Sequence, residues 1–175
     1  MINVNGKTVT ILGFGVIFLM DLAYLCSAIF GFNLDINIIY AVALLITAGG
    51  FGIQWLSNKE NIDLLSAGTV GIVALISLIQ NYTYFNGYLN WVMSVASSLY
   101  FFVMAVRAIQ INKTSFNKLV SFACICAGIY YIFASHIVWE WLYPSIGFQN
   151  WIIIIWNIGY VVCSGSCLLE CLQEN

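Results

Sequence analysis

The chain has 175 residues, of which 62% are apolar and only 7% charged, whereas soluble domains carry roughly 25% charged residues. A soluble fold of this length cannot hide so much apolar surface, and apolar runs of 18 or more residues mark membrane spans. The formal net charge of -2 favours neither nucleic acid nor an acidic partner, and runs such as VALLITAGGFGIQWL and WIIIIWNIGYVV do not alternate as outer-membrane barrel strands do.

These features predict an all-α polytopic membrane protein. The expected form is a single domain over residues 1–175, a bundle of about six transmembrane helices with both termini cytoplasmic. The apolar runs lie at 8–30, 37–56, 64–81, 89–107, 119–136 and 149–169. Each is long enough to cross a hydrocarbon core of about 30 Å. The first follows MINVNGKT, which has one lysine and no clear cleavage pattern after it, so it reads as a retained span.

The first span carries Asp21 between Met20 and Leu22. A carboxylate at the centre of a span costs about 2.5–3.5 kcal/mol on insertion scales, and such residues usually serve function. No lysine or arginine sits at matching depth. Asp21 is therefore expected to be protonated, hydrogen-bonded to a Tyr, Ser or Asn, or facing a wet cavity. It is the first candidate for an ion or ligand path.

Small residues recur toward the cytoplasmic half of the first three spans: Gly13 and Gly15, then Gly50 and Gly52, then Gly68 and Gly71. Small residues let helix backbones approach closely in lipid. These six are the predicted helix-packing positions, within one subunit or between copies in a homo-oligomer.

The connection between the fourth and fifth spans, RAIQINKTSFNK, holds three of the five basic residues: Arg107, Lys113 and Lys118. Lys7 and Lys59 fall on the same side of a six-span topology. The other connections contain no lysine or arginine, so the positive-inside rule puts this side in the cytoplasm. The stretch is the candidate docking surface for a cytoplasmic protein partner.

On the opposite face, Tyr82, Tyr84, Phe85, Tyr88 and Trp91 gather around one connection, and Trp139, Trp141, Tyr143, Phe148 and Trp151 around the next. Two readings fit: an aromatic belt at the headgroups, or an outer vestibule for a flat or cationic ligand. His136 and Glu140, four apart on a helix, share a face. With Trp139 and Trp141 they complete the candidate ligand or ion path.

The sixth span carries Cys163, Cys167 and Cys171 at four-residue intervals, about 12 Å from first to last along one helix. That spread does not close around one metal ion, so the thiols are expected to be reduced and to pack as small apolar groups. Cys171, at the boundary, is open to acylation on this reading. No metal site, cofactor or catalytic residue is predicted. The chain has no HExxH, GxSxG, Walker motif or CxxC, and one histidine cannot make a bis-His haem site.

Two functions follow as expectations. The first is a non-enzymatic membrane subunit that self-associates and serves as sensor, anchor or pore for a cytoplasmic partner; an Ile/Asn-rich bacterial sequence of this kind is compatible with a stress or phage-defence operon. The second is a small-molecule or ion transporter using Asp21 and the outer aromatics. The expected surroundings are the lipid bilayer of a bacterial inner membrane, with no nucleic-acid contact.

Overall fold

A computed structural model describes residues 5–32, 35, 37–82, 87–111, 115–133 and 149–173. Among them are six helices: α1 Gly6–Phe30, α2 Asn37–Asn58, α3 Asn61–Tyr82, α4 Gly87–Ile111, α5 Ser115–Phe133 and α6 Gln149–Gln173. The first five are long and apolar enough to cross a membrane, and α6 contains a shorter apolar stretch, Asn157–Leu172. The protein is a multi-pass helical membrane bundle. Only helices satisfy their own backbone within a span without a closed sheet.

Both ends of α1 and the turn after α2 have local causes. Asn5 caps α1, its side chain accepting from the Lys7 N–H at 3.0 Å. Gly31 stops α1 in the left-handed conformation, φ 72°, its N–H donating to the Ser27 carbonyl at 2.8 Å. Lys59, also left-handed at φ 58°, reverses the chain between α2 and α3, with its ammonium 4.7 Å from the Trp55 ring centre. All six helices extend past the apolar runs at the basic end: α1 from Gly6, α2 to Asn58, α3 from Asn61, α4 to Ile111, α5 from Ser115 and α6 to Gln173. Among the polar groups near this end, Gln54, Asp63, Arg107, Asn117 and Glu170 are buried inside the bundle, whereas Asn58, Lys59, Glu60 and Asn61 are exposed.

Packing follows chain order. Each helix lies against the next, α1 to α6, and α6 returns to α1, closing a ring. Every helix contributes to the filled centre, including Phe14, Phe51, Val70, Met104, Val120 and Cys167. Alternating helix direction places the starts of α1, α3 and α5 beside the ends of α2, α4 and α6. All six therefore meet at the basic end.

The tightest crossing is α1 on α2. A Cβ at Gly13 would lie 2.8 Å from the Thr47 backbone nitrogen, and one at Gly50 would lie 2.9 Å from the Gly6 carbonyl oxygen. Both positions need a residue without a side chain for the backbones to meet. Gly71 is in ordinary contact with Ala48 of α2, whereas Gly15, Gly52 and Gly68 face open space. The predicted packing residues thus divide, Gly13, Gly50 and Gly71 inside the bundle and the other three turned outward.

Candidate functional site

Two polar sites occupy the interior. The first is at the basic end and is built from one residue on each of five helices. Arg107, near the end of α4, is 1% exposed. Its Nη2 donates to Asp63 Oδ1 of α3 at 3.1 Å and to Gln54 Oε1 of α2 at 3.1 Å, while Nη1 donates to Glu170 Oε1 of α6 at 3.3 Å. The guanidinium also lies 4.8 Å from the Phe51 ring centre.

Gln54 passes the chain on. Its Nε2 donates to Thr10 Oγ1 of α1 at 2.9 Å, and Thr10 donates to the Gly6 carbonyl at 3.0 Å. On α5, buried Asn117 donates to the Ala108 carbonyl of α4 at 3.2 Å. A guanidinium suits this position because its planar fork can serve several acceptors at once. One cation here faces two carboxylates, Asp63 and Glu170, both buried.

The second site is in the middle of the bundle. Asp21 of α1 is 3% exposed and points inward. The Ser164 hydroxyl of α6 is within hydrogen-bond reach of its carboxyl group. Its Oδ2 is buried and has no hydrogen-bond partner among the described residues. Tyr40 of α2 and Tyr160 and Cys163 of α6 are near enough to interact electrostatically with it.

Tyr160 joins this site to a run of aromatic rings. Its centre is 5.5 Å from that of Tyr131, which is 5.4 Å from Phe101, which is 4.9 Å from Tyr100. Edge-on and tilted contacts of this kind add to the packing of α4, α5 and α6.

The two sites share α6. Ser164 and Glu170 are six residues apart, about 9 Å along the helix axis. Between them Cys167 is within hydrogen-bond reach of Cys124 and Tyr100. Polar and polarisable groups thus continue from mid-bundle to the basic end. Intramembrane ionisable side chains that face a bundle interior are characteristic of ion pathways and proton relays.

The residues singled out in the sequence take several positions. Asp21 is interior. Arg107 does not share a surface with Lys118: it points into the bundle, whereas Lys118 is exposed. Lys113 lies outside the described residues, as do His136, Trp139, Glu140 and Trp141. Cys124, Cys163, Cys167 and Cys171 are packed in the core, which removes Cys171 from the surface where acylation would occur; Cys26 and Cys126 are exposed.

Gln54, Asp63, Ser164 and Glu170 are functional candidates that sequence reasoning passes over. A signal for two of them exists. In a six-span topology Asp63 and Glu170 lie at the same end as Arg107, and opposite charges at equal depth in a low dielectric pair. Comparisons with family models, curated proteins and solved structures give no match.

Proposed function

We propose that the protein is a non-enzymatic membrane subunit that carries a small cation or proton through its interior, with Asp21 as the site the ion visits. The observation that supports this most is the buried mid-span carboxylate with an unpartnered oxygen. An interior aspartate with no basic partner among the described residues is costly in lipid, and a transient positive charge would offset that cost. On this reading the Arg107 cluster holds the ends of five helices together at the mouth of the path. The bundle would sit in a bacterial inner membrane with its basic end in the cytoplasm, following the positive-inside rule.

The test is flux through the purified protein in lipid vesicles under an imposed membrane potential. Asp21→Asn is isosteric and removes the charge, and should abolish the flux. Unchanged flux in that variant would remove Asp21 from the path.

A second reading has its own observation. Gly15, Gly49, Gly52 and Gly68 leave open space on the outer surface of α1, α2 and α3, where a second copy could pack closely. The protein would then be a self-associating sensor, anchor or pore, of the kind a stress or phage-defence system employs, and Lys118 would remain available to a cytoplasmic partner. Native mass spectrometry should show a defined oligomer that Gly68→Leu disperses. A strictly monomeric wild type rules this reading out.

A further inference from the structure

We infer that Asp21 is a proton-binding site, which loads and releases a single proton at the centre of the bundle. This deepens the ion-path reading and rests on it for what the proton does next.

The choice of occupant follows from what surrounds the carboxylate. Calcium takes six to eight oxygen ligands, and magnesium demands a near-octahedral set. Among the described residues no three His, Cys, Asp or Glu side chains come together to hold a metal. Among the described residues, the groups near enough to interact electrostatically with Asp21 are Tyr40 of α2 and Tyr160 and Cys163 of α6, with the Ser164 hydroxyl of α6 beside it. One turn along α1 is Tyr24, whose hydroxyl is engaged with Asn37 Oδ1 at 2.7 Å. No lysine, arginine or histidine is among them, so among the described residues no fixed positive charge pairs with the aspartate. A proton needs neither a ligand shell nor a void.

Ser164 supplies the second half of the case. Its hydroxyl carries one hydrogen and accepts through its lone pairs. It lies within reach of Asp21 and also 2.9 Å from the Tyr160 carbonyl. When Asp21 is ionised, Ser164 can turn its hydrogen to the carboxylate. When Asp21 is protonated, the acid donates to Ser164 Oγ and Ser164 donates to the Tyr160 carbonyl. Each protonation state thus has its own hydrogen-bond arrangement with Ser164 through one rotating hydroxyl. The neutral form also relieves the unpartnered Oδ2 of charge, which is far cheaper to bury. The step is a proton transfer alone: an O–H bond forms on loading and breaks on release, with water as donor and acceptor.

Infrared difference spectroscopy of the full-length protein in lipid vesicles, stepped through pH, reads this directly. Wild type should show a carboxylic-acid C=O band that grows on acidification. Asp21→Asn should lose it, Asp21→Glu should move its frequency, and Ser164→Ala should displace both its frequency and its midpoint. A band that stays constant at every pH, or one that titrates identically in Asp21→Asn, overturns the assignment. If Asp21→Asn fails to fold, the Asp21→Glu and Ser164→Ala shifts decide the matter. A titrating Asp21 band in a protein without flux leaves the proton site standing and removes the ion path. Ion flux without a titrating band does the reverse.

Discussion

Arg107→Met is expected to destabilise the bundle by about 3–5 kcal/mol, the usual consequence of removing one partner from a buried ion pair. Methionine keeps much of the stem volume, so lost packing is a small part of the effect. What remains is Asp63 and Glu170, both buried, without the cation that each approaches within 3.3 Å. Gln54 loses a donor to its carbonyl oxygen as well. Replacing all three charges, as Arg107→Met with Asp63→Asn and Glu170→Gln, should recover most of the loss because no unpaired charge is left. Denaturant unfolding in detergent micelles measures both variants. If the triple variant is as unstable as the single one, charge burial is not the cause and the packing of Arg107 on Phe51 must be.

Gly50→Val is the second large effect, expected at about 1–3 kcal/mol, the range for overpacking a filled interior. A Cβ at Gly50 meets backbone rather than a flexible side chain: the Thr10 nitrogen at 2.5 Å and the Gly6 carbonyl oxygen at 2.9 Å. Relief requires α1 to move away from α2, which also pulls Thr10 from Gln54 and loosens the chain that ends on Arg107. Gly52→Val is the matched control, since nothing lies within 4 Å of that position. The same unfolding assay should find Gly52→Val close to wild type in isolated monomers. Equal losses at both positions would mean that helix propensity, not the α1–α2 contact, sets the cost.

The six helices are legible in the sequence because a spanning run carries its own signal and short polar connections interrupt it. Their ends at the basic side are not. Local polarity groups Arg107 with the loop that follows it and leaves Asp63 outside the third run. They pair with each other across α3 and α4, at 3.1 Å, a contact that no local pattern contains. The inward direction of Asp21 is equally hidden. In lipid the outer face of a helix is as apolar as its core face, so the periodicity that reveals a buried stripe in a soluble protein is faint here. Gly13 and Gly15 illustrate the limit: both fit a packing role by residue type, and only the crossing with Thr47 separates them.

Proton flux under an imposed potential, compared among wild type, Asp21→Asn and Lys118→Gln in vesicles of one composition, tests the central claim most directly. The interior path predicts flux in wild type, loss of that flux in Asp21→Asn with its unfolding midpoint preserved, and no change in Lys118→Gln. Undiminished flux in Asp21→Asn would contradict it.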